Sequence, residues 1–196
     1  MTLVCMMMVS CNDGKHEGHE YVDLGLSVKW ATCNVGANAP EEYGDYYAWG
    51  ETSTKEKYPT YGLSISESQS QGIIDGNSNL MPQHDAARAN WGGDWRMPTR
   101  TEMQELIDNC EWEWTAQNGV NGYKVTGPNG NSIFLPAAGY RFGSSLDYAG
   151  EYGSYWSSTP AYSDSYHAYD LDFRSSEYSV HCDFRGCGRS VRPVSE

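Results

Sequence analysis

Residues 91–106, WGGDWRMPTRTEMQEL, contain the clearest helix signal in the chain. Thr99 is followed three residues later by Glu102, which is the spacing of a capping box, where two side chains satisfy backbone N–H groups at a helix N-terminus. Apolar side chains then recur at helical spacing and predict one buried face: Met103, Leu106, Ile107 and Cys110. We therefore expect a helix after Thr99, and a second short helix at HDAARANW, residues 84–91.

Strand signals lie on both sides of these helices. Before them, apolar and polar residues alternate in LSVKW, residues 26–30, as in a half-buried strand. After them, GPNGN at residues 127–131 separates two apolar runs, and its Asn129-Gly130 pair suits a tight hairpin turn. Residues 52–82 are polar and serine-rich and predict a long surface loop. Together these signals predict a loop-rich domain of the α+β or mostly β class. Of these we expect α+β, with twisted antiparallel strands and about two helices.

The composition excludes some classes of partner. The 196 residues carry a net charge of −13, with 39% hydrophobic and 13% aromatic residues. Such an acidic chain lacks the basic patches that nucleic acid binding requires, and an anionic membrane surface would repel it. Its 7 Trp and 15 Tyr residues can form a core where aliphatic residues are few.

The N-terminus is similar to an export signal. An apolar run at residues 3–9 is followed by Ser10 and Cys11, the order found at the end of a signal peptide and similar to a bacterial lipoprotein cleavage site. Lipidation would then fall on Cys11, and the acidic residues after it resemble the surface-export signals of Bacteroidetes lipoproteins. This predicts a signal and polar linker over residues 1–19, one domain over residues 20–196, and an outer-membrane, cell-surface location. A cytosolic N-terminus is the alternative.

Three motifs resemble those of one protein family. Residues 91–106 are similar to the GWRLPTEAEWE element of proteins with the C-type lectin fold of the formylglycine-generating-enzyme type. With YWSST at residues 155–159 and GRSVRPV at residues 188–194, they resemble the Fibrobacter succinogenes major paralogous domain, common in Bacteroidetes surface proteins. The chain also resembles the variable proteins of diversity-generating retroelements. The resemblance implies a C-type lectin-like fold that serves for binding. The word lectin names the fold here and does not imply a sugar ligand. Six residues would be scaffold: Trp91, Trp95, Arg96, Pro98, Trp156 and Arg192.

The same resemblance accounts for the composition of the tail. Residues 161–194 contain no Lys, Gln, Met, Trp or Asn. In such variable proteins, template Asn codons (AAC or AAT) are altered at their adenines, which yields any residue except Lys, Glu, Gln, Met and Trp. Lys, Gln and Met are absent after Lys124, and Glu151 and Glu177 would be fixed positions. The variable, ligand-binding segment is therefore expected at about residues 142–189.

Strand alternation divides this segment into an inner and an outer face. In HAYDLDFRS, residues 167–175, the inner set is Tyr169, Leu171 and Phe173, and the outer set is Asp170, Asp172 and Arg174. In YSVHCDF, residues 178–184, Val180 would face inward. A surface rich in Tyr, Ser and Asp has the chemistry of antibody-like binding sites. The predicted ligand contacts are Asp147, Tyr148, Tyr152, Ser154, Tyr162, Asp164, His167, Asp170, Asp172, Arg174, Tyr178, Ser179, His181, Asp183 and Phe184.

Two alternative functions compete with ligand binding. HCDFRGC, residues 181–187, is similar to the paired active-site cysteines of the formylglycine-generating enzyme, so an oxidase would use Cys182 and Cys187. A structural surface or fimbria-associated domain would use the tail for no specific ligand. The His and Cys spacing fits no strong zinc signature. Two further cysteines are either buried thiols or, after export, a disulfide: Cys33 and Cys110.

The sequence contains no nucleophile beside a base, no paired carboxylates in an apolar setting and no phosphate loop. We therefore predict an exported, non-enzymatic binding protein with no cofactor and no metal. Its expected partner is a protein or glycan on another cell, a phage or a host. Its contact with a membrane would be the lipid anchor, and it would not bind nucleic acid.

Overall fold

The computed structural model describes residues 14–161 and 166–196. Over these ranges the chain is mostly β, because strand residues make up 40% and helical residues 14%. The strands form four small antiparallel sheets, accompanied by three short α-helices. The predicted α+β, C-type lectin-like class with about two helices is therefore wrong. The helical signals are present but short, whereas strand-forming segments occupy most of the chain after residue 110.

The α-helices are α1 (Ile65–Ser70), α2 (Ala86–Trp91) and α3 (Arg100–Asn109), and a 3₁₀ turn covers Pro82–His84. The capping box predicted for α3 is confirmed. Thr99 Oγ1 accepts a hydrogen bond from Glu102 N (3.2 Å), and the Glu102 carboxylate accepts one from Thr99 N (2.7 Å). The α1 helix lies in the region predicted to be a loop. It has a capping box of its own, formed by Ser64 and Glu67.

The strands in the described ranges are β1 (Gly14–His16), β2 (His19–Val22), β3 (Lys29–Ala31), β4 (Glu111–Gln117), β5 (Val120–Thr126), β6 (Ser132–Pro136), β7 (Tyr140–Phe142), β8 (Ser145–Asp147), β9 (Gly153–Pro160), β10 (His167–Arg174), β11 (Glu177–Phe184) and β12 (Val194–Ser195). The first sheet has the order β1-β2-β3-β12, which joins both ends of the domain. Two three-stranded sheets have the orders β4-β5-β6 and β11-β10-β9, and β7 and β8 form a small hairpin.

The predicted hairpin is confirmed as β5 and β6, in which Val125 pairs with Ile133. Its turn contains Gly130 at φ +87°, a left-handed conformation that glycine adopts without steric cost. The first predicted strand is shorter than expected, since only its end forms β3. Val28 and Trp30 are nevertheless buried, as the alternation requires.

The main hydrophobic core lies between α3 and the two three-stranded sheets. Met103 and Leu106 from α3 pack there with Val125 from β5 and with Leu171 and Phe173 from β10. A second core lies on the other side of β9 and includes four large side chains: Trp49, Met97, Trp156 and Val191. The sheet β11-β10-β9 therefore packs between two apolar clusters.

Three arginines near the C-terminus are buried: Arg185, Arg189 and Arg192. The Arg192 guanidinium donates to Asn34 Oδ1 at 2.8 Å and to the carbonyl oxygens of Ala31, Thr32 and Phe134 at 3.2, 3.0 and 3.0 Å. This side chain joins β3, the loop after it and β6 to the C-terminal segment. Its position fits the scaffold role that the sequence resemblance implies.

The hairpin of β1 and β2 packs on two tryptophans that precede α3. His19 stacks on Trp91 with 3.7 Å between ring centroids and 4° between ring planes, and Trp95 Nε1 donates to His16 O at 2.9 Å. Residues 14–19, predicted to be linker, thus form part of a sheet, and the boundary at residue 20 stays a prediction. Among the described residues, no helix has the length and apolar character needed to cross a membrane.

Candidate ligand-binding face

Strand β10 lies at the centre of its sheet, and its side chains alternate between the two faces. One face packs on the main core, as predicted, because Leu171 and Phe173 are buried and Val180 of β11 packs beside them. Tyr169, expected on the same face, is half-buried, and the guanidinium of Arg100 lies 4.2 Å from its ring centroid. The inner face is therefore covered at Leu171 and Phe173 and partly open to solvent at Tyr169.

The alternation pattern predicts that the opposite face is exposed along its whole length. This prediction is wrong around Asp170, in the middle of the strand. Asp170 is 0% exposed, and Ser154 of β9 is also fully buried. The chain after β11 folds back over the sheet, so that residues 185–190 are buried and Trp156 N donates to Ser190 O at 3.1 Å. Alternation within one strand cannot indicate that a later segment covers its outer face.

Arg189 belongs to this covering segment, and its side chain contacts all three strands. Its Nε is 2.9 Å from Asp170 Oδ2, and Ser154 Oγ donates to the same carboxylate oxygen at 3.0 Å. The guanidinium also donates to Ser154 Oγ and to Asp183 Oδ2. Ser154, Asp170 and Asp183 belong to β9, β10 and β11 respectively, so one buried cation links the whole sheet.

Carboxyl groups outnumber the guanidinium in this network. Burial raises the pKa of Asp170 well above its usual range; the charge of Arg189 opposes this rise, and the neighbouring carboxylates of Asp172 and Asp183 add to it. One oxygen of Asp170 and one of Asp172 are buried without a hydrogen-bond partner. A proton on Asp170 would supply a hydrogen-bond donor between the two carboxyl groups.

Beyond Asp170 the outer face opens to solvent. A cavity of about 240 Å³ is lined by Tyr152, Asp172, Phe173, Arg174, Glu177, Ser179 and His181. A neighbouring cavity of about 440 Å³ is lined by Trp114, Asn121, Tyr148, Gly150, Glu151, Tyr152, Arg174 and Ser175. The Arg174 guanidinium lies 5.3 Å from the Tyr152 ring centroid, so this pair forms the wall that both cavities share. Aromatic rings, hydroxyls and charges of both signs are thus available to a ligand.

Tyr148 is held at the surface by an unusual backbone conformation. Its φ of +57° lies in the left-handed region, which residues other than Gly, Asn and Asp seldom adopt. The side chain is 55% exposed, and its ring stacks on Tyr140 with 5.9 Å between centroids. Such conformations cost about 1–3 kcal/mol and cluster at functional sites. The strain therefore supports a functional role for Tyr148.

The predicted contacts fall into four groups. Exposed are Tyr148, Arg174, Tyr178, Ser179 and His181. Partly buried are Asp147, Tyr152, His167, Asp172, Asp183 and Phe184. Fully buried are Ser154 and Asp170. Tyr162, Asp164 and the predicted lipidation site Cys11 lie outside the described residues. One ring face of Tyr178 is already occupied, because it stacks on Trp112 with 4.6 Å between centroids.

Two residues of this face were not predicted from the sequence. Tyr61 belongs to the serine-rich region, yet its ring lies 5.6 Å from Tyr166 and 5.0 Å from Phe184, and no local signal identifies it. Arg189 has a sequence signal. It lies two residues before the buried Val191, so in an extended segment both side chains point to the same side. Large hydrophobic side chains that are exposed in the described ranges number six: Tyr61, Phe142, Leu146, Tyr148, Tyr166 and Tyr178.

Three cysteines in the described ranges are free thiols: Cys33, Cys110 and Cys187. Cys182 pairs with Tyr169 and lies on the core side of the sheet, whereas Cys187 is buried near Arg189 on the other side. Burial raises the pKa of Cys187, which disfavours a reactive thiolate. In residues 14–161 and 166–196, no cluster of three or more His, Cys, Asp or Glu side chains has the arrangement of a metal site.

Comparison with known families decides the relationship of the chain. The family model of the Lcl C-terminal domain matches residues 22–195. The chain belongs to the Lcl C-terminal domain family. This family is of the Fibrobacter succinogenes major paralogous domain type, so the sequence resemblance is confirmed at the level of the family. No curated protein matches the chain, and no solved structure matches it.

In this Lcl C-terminal domain, Asp170→Ala should destabilise the fold, whereas Arg174→Ala should not. Loss of Asp170 leaves the buried Arg189 without its buried carboxylate, and breaking a buried ion pair costs about 3–5 kcal/mol. Arg174 is exposed, and surface substitutions change stability by less than about 0.5 kcal/mol. Urea unfolding of both variants measures the difference. Equal stabilities would contradict the burial of Asp170.

The free energy of unfolding should depend on pH through Asp170. Its pKa is about 3.9 in an unfolded chain and is raised in the fold. The folded state therefore binds this proton more tightly than the unfolded state does. The stability that proton binding contributes is present at low pH and is lost as the pH rises from about 4 through the folded pKa. In Asp172→Asn the neighbouring charge is absent, the folded pKa of Asp170 falls, and the loss with pH should be smaller.

Urea unfolding over the range from about pH 5 to pH 8 measures this slope. Glu177→Gln is the matched control. Glu177 is exposed, and this substitution removes the same charge from the neighbouring strand. It should keep the wild-type slope. Identical slopes in Asp172→Asn and the wild type would show that Asp172 does not act on Asp170.

Proposed function

We propose that this chain is a non-enzymatic binding protein whose ligand face is formed by residues 142–189. The observation that carries this proposal is the position of the exposed apolar side chains. Of the six in the described ranges, five lie between Phe142 and Tyr178, and the sixth, Tyr61, contacts that segment. Exposed apolar groups concentrated in one segment of the chain indicate an interaction site, although Tyr178 lies on the core-facing side of its sheet, where it pairs with Phe173. Tyrosine suits that role, since it offers a large contact area at low entropic cost.

The separation of buried and exposed positions supports a face that can be diversified. Trp156, Phe173 and Arg189 hold the sheet from inside. Tyr148 and His181 are exposed and belong to residue types that altered Asn codons can encode. Substitution at such exposed positions changes ligand contacts and leaves the core packing intact. A fold of this kind can therefore accept many different surfaces.

The partner we propose is a protein or glycan on another cell, a phage or a host. The net charge of −13 argues against nucleic acid. We further propose export of the Bacteroidetes lipoprotein type with a lipid on Cys11, which would place the face outside the cell. An oxidase using Cys182 and Cys187 is less well supported, because the two thiols lie on opposite sides of the sheet and burial raises the pKa of Cys187.

A triple variant of Tyr148→Ala, Arg174→Ala and His181→Ala should lose binding and keep its melting temperature. All three side chains are exposed and line the two open cavities. Binding is measured with the fluorescently labelled protein on intact bacteria, phage particles, host cells and a glycan array. We expect at least about a tenfold loss on surfaces that the wild type binds, the product of several contacts worth about 1 kcal/mol each.

The matched control is Glu113→Ala with Lys124→Ala. These exposed residues pair across β4 and β5, outside the proposed face. The control should bind like the wild type. Equal binding by the triple variant and the control would contradict the assignment of the face.

A further inference from the structure

An aromatic pad lies at one end of the proposed face and is built from two distant parts of the chain. Tyr61 makes edge-to-face contacts with Tyr166 (5.6 Å, 70°) and with Phe184 (5.0 Å, 77°). Phe184 in turn packs on His167 with 4.2 Å between ring centroids. Tyr61 is 62% exposed and Tyr166 39% exposed. We use "aromatic pad" for Tyr61, Tyr166 and Phe184 together.

The backbone beneath the pad is fixed by close packing. A Cβ atom on Gly186 would lie 2.2 Å from Pro59 O and 2.8 Å from the carbonyl carbon of Tyr61, so only glycine permits this approach. Just before this contact, Tyr58 is buried and its hydroxyl donates to Tyr46 O at 2.6 Å. The segment that carries Tyr61 is therefore packed in place although its side chain is exposed.

Arg185 ties the same segment to the sheet from inside. It is buried, lies 5.2 Å from the Trp49 ring centroid, and donates to His167 O at 3.0 Å and to Ser68 Oγ at 3.1 Å. Ser68 belongs to α1, and His167 begins β10. One buried guanidinium thus connects the serine-rich region to the sheet. Preorganised rings lose little conformational entropy when a partner binds.

The net charge of the domain favours a basic partner. Five carboxylates of the face are exposed or partly exposed: Asp147, Glu151, Asp172, Glu177 and Asp183. Among the described residues of the face, one arginine is accessible, Arg174, whereas Arg185 and Arg189 are buried and already bonded, Arg189 in part to Asp183. With a net charge of −13, the domain attracts cationic partners and repels anionic ones.

The rings themselves suit a cation. Lys and Arg side chains bind favourably over aromatic faces. In the described ranges, Tyr61 and Phe184 are not covered by any Lys or Arg of the chain, whereas Tyr152 and Trp156 are covered by Arg174 and Arg189. The half-exposed carboxylate of Asp183 adjoins Phe184 and accepts its backbone N–H. A ring face thus lies beside a half-exposed carboxylate, which is also bonded to Arg189.

We propose that the aromatic pad binds a basic segment of a protein partner, with a Lys or Arg side chain laid across Tyr61 and Phe184. This inference rests on the proposed ligand-binding function and specifies its partner. It also adds Tyr61, which lies outside residues 142–189, as a fixed contact beside a diversifiable surface. Tyr61 would supply a constant contact, while Tyr166, Phe184 and the positions around Arg174 belong to the segment that can vary and set specificity.

Selection from a displayed library of random dodecapeptides on the immobilised full chain tests this proposal. Enriched peptides should carry a net positive charge, and their affinity should fall steeply with added salt. Tyr61→Ala should weaken the most enriched peptide about tenfold, the size of a cation–π contact that is partly desolvated. Tyr61→Phe keeps the ring and should bind within about twofold of the wild type. The melting temperature of both variants should match the wild type, since the side chain is exposed.

Lys57→Ala is the control for general electrostatic attraction. Lys57 is exposed in the same segment, and its loss makes the domain more acidic. It should bind the peptide at least as tightly as the wild type. Enriched peptides that are neutral or acidic, or a Tyr61→Ala variant that binds like the wild type, would overturn the proposal and leave the ligand face itself in place. Absence of enrichment would overturn it as well. The proposed function is tested separately, by the binding of the wild type to cells, phage particles or glycans.

Discussion

The buried ion pair of Arg189 with Asp170 is the interaction on which the rest of the face depends. It joins the centre of a three-stranded sheet to the segment that folds back over its outer face, and Ser154 and Asp183 extend it to both neighbouring strands. Removing two charges from water is costly, so such a pair adds little net stability over an apolar contact. Its main effect is geometric, because any other register would leave a buried charge without a partner.

This arrangement separates the residues that hold the sheet from those that meet solvent. On one side Phe173 packs on the core, and on the other Asp170 is fixed by Arg189. At its C-terminal end β10 reaches the surface, where Arg174 and the neighbouring positions of β11 are exposed. A surface built in this way can change its side chains without loss of stability, which is the physical requirement for a diversifiable binding face.

Local signals explain which parts of the structure were predictable. The capping box of Thr99 and Glu102 and the turn at Gly130 involve neighbouring residues, and both were predicted correctly. The burial of Asp170 depends on Arg189, and the position of Tyr61 depends on Gly186; these pairs are distant in the chain and have no periodic pattern. The fold class was wrong because helix signals are stronger per residue than those of short strands, and the short strands outnumber the helices. Family membership came from motifs, which record ancestry and not packing.

The most direct test of the account is deep sequencing of the 3′ end of the gene in a population grown from one cell, with the flanking DNA read for a near-copy of that end. We expect changes at codons for exposed positions such as Tyr148, Arg174 and His181, and none at Asp170 or Arg189, together with a nearby template and reverse transcriptase. Changes spread evenly over buried and exposed positions, or an invariant tail without a template, would contradict a diversified ligand face.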